Sequence, residues 1–140
     1  MTIRKINTGT KQLICEVCDG VATITLNRPE VRNALGDIIT PALRRQIQER
    51  ADDPEVGALM ITGAGVAFCA GGDVKGMGTN RSSIEMKPDQ KIAQLKERQR
   101  TLTGALIGVR KPTLAALPGP AAGAGLAIAL ACDIRIASES

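Results

Sequence analysis

The stretch FCAGGDVKG, residues 68–76, follows an apolar run, VGALMITGAG (56–65), and stops being apolar at Gly71. The run reads as a buried strand, so Gly71 and Gly72 stand where the strand ends and Asp73 stands where a helix would begin. Glycine at such a place serves one of two ends. Either the backbone needs a conformation that only glycine tolerates, or another group must come close to the backbone itself. The arrangement recurs downstream, where KPTLAAL (111–117) runs into PGPAAGAG (118–125) and then LAIALAC (126–132). A strand, a glycine-rich turn and a helix start therefore occur twice, and the two turns could face one another.

The remaining segments support an α/β chain. KQLICEV (11–17) and GVATITL (20–26) are β-rich runs around Asp19-Gly20, a two-residue hairpin signal. NRPEVRNAL (27–35) reads as a loop. The spacing predicts a helix from Asp37 to Arg50 with Leu43 and Ile47 on one face, and Pro41 is tolerable because it falls in the first turn. A polar segment, GTNRSSIEMKPDQ (78–90), reads as a surface loop. From Pro88 to Val109, the residues Ile92, Leu95, Leu102, Leu106 and Val109 recur at helical spacing. DIRIAS (133–138) starts a last strand, in which Asp133 has a structural role. The 140 residues suffice for one domain, read as an N-terminal extension (1–12) and a core (13–140).

Composition removes several kinds of chemistry. The chain has no histidine, which excludes imidazole acid–base catalysis, Ser–His or Cys–His nucleophiles and histidine-ligated metals. Phe68 is the only aromatic residue, so nucleic acid would find almost no stacking platform. The helix segment KIAQLKERQR (91–100) is basic, but Glu97 dilutes it, and a solvated face is the expectation rather than a nucleic-acid partner. CEVC (15–18) has CxxC spacing without a second pair or a histidine, and in a strand its two cysteines face opposite sides. Reduced thiols, a cytoplasmic location and no metal site follow as expectations. The uncharged run Thr113–Cys132 has the length of a membrane span, but Pro118, Gly119 and Pro120 interrupt it. A strand, a loop and a helix fit better, with no membrane partner.

Two helix starts that converge offer unpaired N–H groups and the positive ends of two peptide dipoles. Such a pair binds an anion, or an oxygen that becomes anionic during reaction. Neither turn carries GxxxxGK[ST] or GxGxxG, so an oxyanion hole is a sharper reading than a phosphate cradle. Backbone geometry alone remains the alternative.

Three ordered motifs, LNRPEVRNAL (26–35), GAGVAFCAGGDVKGM (63–77) and KPTLAALPGPAAGAGLAIALACDIRIASES (111–140), closely resemble the crotonase superfamily of enoyl-CoA hydratases and isomerases. The resemblance implies a spiral of ββα units, usually assembled into trimers or pairs of trimers. It also implies acyl-CoA thioester substrates whose carbonyl oxygen sits between two backbone amides. Carried over residue by residue, those amides belong to Gly72 and to Ala124, the middle residue of GAG, where most members have glycine. The resemblance places CoA, as part of the substrate and not as a separate cofactor, near Glu30, Val31 and Arg32, Ala70, and Asp73, Val74 and Lys75. Arg32 and Lys75 would face its phosphates, and Asp73 would cap a helix.

Two departures from the family pattern stand out. The first of the two hydratase glutamates corresponds to Ala127, which cannot hold or deprotonate water. That points to single-acid chemistry such as moving a double bond. The second acid and the C-terminal helices of the family fall beyond residue 140, so the chain reads as an N-terminal portion, truncated before those helices. The alternative reading is a non-catalytic acyl-CoA-binding or assembly fragment.

Overall fold

The computed structural model describes residues 2–73 and 87–139. Within them, six strands form one mixed sheet whose spatial order equals the chain order. The strands are β1 (Arg4–Ile6), β2 (Leu13–Cys18), β3 (Val21–Leu26), β4 (Ala58–Gly63), β5 (Thr113–Leu117) and β6 (Ile134–Ala137). The first three are antiparallel neighbours, and β3 through β6 run parallel. Each parallel step is made by a crossover containing a helix: α1 (Ile39–Ala51), α2 (Pro88–Ile107) and α3 (Ala124–Ala131).

The hairpin between β2 and β3 turns at Asp19 (φ 51°) and Gly20 (φ 80°), the paired left-handed conformations of the tight turn that Asp-Gly favours. Alternation then decides which face is buried. Leu13, Cys15 and Val17 of β2, Ala22, Ile24 and Leu26 of β3, and Leu59 and Ile61 of β4 all point into the core. Helix α1 covers them with Ile39, Ala42, Leu43, Gln46 and Ile47, a stripe at three- and four-residue spacing. Pro41 lies in its first turn, as the sequence requires, although the helix begins two residues later than Asp37. Phe68 is fully buried and is the largest side chain in a core otherwise built from aliphatic residues and cysteines.

Three features differ from the sequence reading. Residues 4–6, within the segment expected as an extension, pair with β2 and add a strand to the sheet. Helix α2 buries Leu102 and Leu106, but Ile92 and Leu95 are exposed (55% and 44%). Twenty residues of helix span about 30 Å, whereas strands of five or six span roughly 20 Å. The amino-terminal half of α2 therefore runs past the core. The surface loop expected at 78–90 lies mostly outside the described residues.

The uncharged stretch from Thr113 to Cys132 is divided into β5, a turn and α3, and no helix among the described residues is long and apolar enough to cross a membrane. Asp133 opens the last parallel step. Its Oδ2 accepts the Thr113 N–H (3.0 Å) and hydroxyl (3.2 Å), while its own N–H donates to the Thr113 carbonyl (2.9 Å). The structural role read for Asp133 is this lock between β5 and β6.

None of the four cysteines is in a disulfide. Cys15 is buried and Cys18 is only partly so, because the strand turns them to opposite faces. Burial raises the thiols of Cys15, Cys69 and Cys132, the last from 9.0 to about 11. A thiol that ionises less readily folded than unfolded leaves stability intact below pH 9. Stability then falls as pH rises towards about 11, since the unfolded chain sheds its proton first. Thermal midpoints should decline across that window, and less steeply in Cys132→Ala. Equal slopes in parent and variant would remove Cys132 as a cause.

Candidate active site

Strands β4 and β5 are parallel neighbours, so the turns that follow them leave the sheet at the same end. There the turns bond to each other. The N–H groups of Phe68 and Cys69 donate to the Pro120 carbonyl (3.0 and 3.3 Å), and the Ala122 N–H donates to the Cys69 carbonyl (3.0 Å). Gly71 has φ +96°, and a methyl group there would lie 2.9 Å from the Ala122 carbonyl oxygen. A methyl at Gly119 would clash with the Val66 carbonyl oxygen, and one at Gly125 would lie 2.5 Å from that of Cys69. The opposite turn's backbone occupies the space of these missing side chains. At Gly71 both demands on glycine are met, and the group that comes close is protein backbone.

Gly72 is held from the other side. The Leu35 N–H donates to the Gly71 carbonyl (2.7 Å), and the Asp73 N–H donates to the Leu35 carbonyl (2.8 Å), a one-residue parallel bridge. The peptide joining Gly71 and Gly72 is trans, so turning its carbonyl towards Leu35 turns the Gly72 N–H away from Leu35. Ala124 opens α3 after Gly123 (φ 54°), and its nitrogen would lie 3.6 Å from a methyl on Gly71. Among the described residues, neither the Gly72 N–H nor the Ala124 N–H donates to a protein acceptor. Two backbone donors thus stand at the meeting point of the turns.

The other residues singled out in the sequence divide into two groups. Glu30 and Val31 lie in a short 3-10 turn (Pro29–Val31), followed by Arg32 in a left-handed conformation (φ 51°). The Arg32 carbonyl accepts the Ala70 N–H (2.9 Å), so the EVR segment and Ala70 are brought together, with the Glu30 and Arg32 side chains exposed. Asp73 is ion-paired with Arg28 (3.2 Å), whose guanidinium also donates to the Ala34 carbonyl (2.7 Å). Val74, Lys75 and the helix that Asp73 was expected to cap lie outside the described residues. Ala127 is in the second turn of α3, half-buried, and offers only a methyl group.

Asn33 has a role that the sequence reading passed over inside a segment taken simply as a loop. It is fully buried and left-handed (φ 59°). Its Oδ1 accepts the Arg28 N–H (2.8 Å), and its Nδ2 donates to the carbonyls of Ala64 (2.9 Å) and Ala67 (3.0 Å). The side chain thereby ties the 28–35 loop to the turn after β4. The available signal was an asparagine, a residue that tolerates positive φ, just before an apolar pair. The neighbouring Cys69 thiol donates to the Asn33 carbonyl (3.1 Å) and is raised by burial, which makes it a packed group and not a nucleophile. Among the described residues, no group of three His, Cys, Asp or Glu side chains could hold a metal ion.

The sequence model of the enoyl-CoA hydratase/isomerase family matches residues 16–140. The chain belongs to this family. It is 40% identical over 120 residues to a "Probable enoyl-CoA hydratase" of Mycobacterium tuberculosis, covering 86% of this chain and 44% of that protein. It is 37% identical over 123 residues to the mouse mitochondrial enoyl-CoA hydratase domain-containing protein 2, covering 86% and 39%. The solved enoyl-CoA hydratase of Mycobacterium avium subsp. paratuberculosis superposes with a TM-score of 0.77 at 33% identity, over 94% of this chain and 48% of that one. The fold is therefore the crotonase-like α/β spiral, and the chain spans less than half the length of these relatives.

Asn33→Ala removes three hydrogen bonds and leaves an alanine in a left-handed conformation. The loss should be roughly 3–4 kcal/mol in a urea titration. A change below about 1 kcal/mol would show that the tie contributes little.

Proposed function

We propose that this family member binds acyl-CoA thioesters and promotes proton transfer next to the thioester carbonyl. The carbonyl oxygen is held by the N–H groups of Gly72 and Ala124. The observation that carries this reading is the pair of backbone donors, uncommitted among the described residues, at the contact of the turns after β4 and β5. Removing a proton from the carbon next to a thioester sends an electron pair onto that oxygen. Two preorganised donors stabilise the enolate, each by roughly 3 kcal/mol. The first turn of α3 adds the positive end of its dipole.

CoA would lie along Glu30, Val31, Arg32, Ala70 and the Asp73–Lys75 segment, with Arg32 and Lys75 towards its phosphates. Isomerisation is favoured over hydration because Ala127 has no proton to give or take. A single acid can lift a proton from one carbon of a 3-enoyl thioester and return it two carbons along, with no net change in water. A trimer or a pair of trimers is the assembly this reading carries with it. A second reading, acyl-CoA binding without turnover, is supported by the same Ala127 and by the commitment of Asp73 to Arg28.

Ala124→Pro tests the first reading with little risk to the fold, since Ala124 is the first residue of α3, where proline is tolerated. The variant loses one donor and no acid. With 3-enoyl-CoA in deuterated buffer, NMR should show double-bond migration or α-proton exchange in the parent, slowed roughly 10²- to 10³-fold in the variant. Binding of saturated acyl-CoA without exchange in the parent would establish the second reading instead.

A further inference from the structure

Gly72 sits in a bridge one residue long, outside the strands of the main sheet. Each peptide that flanks it is held by a single bond to Leu35. The Gly71 carbonyl accepts the Leu35 N–H (2.7 Å), and the Asp73 N–H donates to the Leu35 carbonyl (2.8 Å). Between those bonds lie the φ and ψ of a glycine, the residue whose backbone rotates most freely. Two backbone bonds alone are a weak hold on the direction of an N–H.

Arg28 fastens both sides of this bridge. Its Nη1 donates to the carbonyl of Ala34 (2.7 Å), the residue before Leu35. Its Nη2 is ion-paired with Asp73 Oδ2 (3.2 Å), on the residue after Gly72. A guanidinium is planar and rigid, so these contacts set the spacing of the two segments as well as joining them. Its base is fixed too. The Arg28 N–H donates to Asn33 Oδ1 (2.8 Å), and the Arg28 carbonyl accepts the Val31 and Asn33 N–H groups (3.1 and 2.8 Å). The Arg28 and Asp73 side chains are only 15% and 20% exposed, which limits screening of the pair. Gly36 leaves room for it, since a methyl there would lie 3.2 Å from Arg28 Nη1 and 3.5 Å from Asp73 Oδ2.

Resting on the acyl-CoA reading, we propose that Arg28 is a positioning residue for that chemistry. By clamping Ala34 to Asp73 it sets the direction of the Gly72 N–H towards the thioester oxygen. It acts through the bridge, without contact with the thioester. The direction of a donor counts most where the charge on the acceptor is largest, in the enolate-like state. Arg28→Gln should therefore lower kcat roughly ten- to a hundredfold, with KM changed less than about threefold.

The test reads the donor directly. Butyryl-CoA, isotope-labelled at the thioester carbonyl carbon, is bound to the protein, and infrared difference spectra give the stretching frequency of that carbonyl. In the parent, the two amides should lower the frequency below its value in water. In Arg28→Gln it should move back towards the aqueous value, while the calorimetric affinity changes less than about threefold. Arg28→Lys keeps the charge but not the fork, so it should fall between the two, and it carries the test if Arg28→Gln does not fold. Ile47→Val, in the core about two turns into α1, should cost stability and leave the frequency unchanged. A frequency unchanged by substitution of Arg28, or moved equally by Ile47→Val, would overturn the positioning role while leaving the thioester reading in place. Failure of butyryl-CoA to bind the parent, or a parent frequency no lower than in water, would overturn the thioester reading itself, and this proposal with it.

Discussion

The contact between the turn after β4 and the turn after β5 is the constraint on which the rest of the molecule depends. Parallel pairing brings both turns to one end of the sheet, and three backbone hydrogen bonds join Phe68, Cys69 and Ala122 to the opposite turn. The approach is too close for side chains. Gly71, Gly119 and Gly125 each face a carbonyl oxygen that any Cβ would strike. Glycine here serves backbone-to-backbone packing first. The Gly72 amide is oriented by the Gly71 carbonyl's bond to the Leu35 N–H and the Ala124 amide by the Gly123 carbonyl's bond to the Ala127 N–H, because a trans peptide whose carbonyl is committed has its N–H directed the other way.

A third segment completes the arrangement. The loop 27–36 approaches the first turn from the side opposite α3, with Leu35 bonded on both sides of Gly72 and the Arg32 carbonyl bonded to Ala70. Asn33 and Arg28 add the side-chain ties, one to the carbonyls after β4 and one to Asp73. The site is thus a backbone construction braced by a few polar side chains. In a chain with no histidine, the proposed stabilisation of an enolate oxygen falls to peptide N–H groups and not to an imidazole.

Much of the architecture was legible in local chemistry. Asp19-Gly20 specified its tight turn because those two residues tolerate positive φ. The period-two alternation in 13–26 marked the buried faces of β2 and β3, and Pro41 fell inside the first turn of α1 as required. The three motifs carried the family and, through it, the two candidate amides. Other features were opaque because their cause is nonlocal. Residues 4–6 become a strand only because β2 offers an unpaired edge. Ile92 and Leu95 share the helical spacing of Leu102, yet remain exposed because the helix is longer than the layer it covers. Asn33 looked like a loop residue, since its partners at 64 and 67 are more than thirty positions away.

By itself, then, the sequence determined the order of strands and helices, the positions of the glycine turns and the family, because each depends on short-range periodicity, on residues that tolerate positive φ, or on ordered motifs. Only the tertiary structure decided which turn meets which, which face of a peptide is spent on Leu35, and that Arg28 pairs with Asp73. Those outcomes depend on strand pairing and helix placement across dozens of residues, and no local pattern encodes the distance between groups so far apart in the chain.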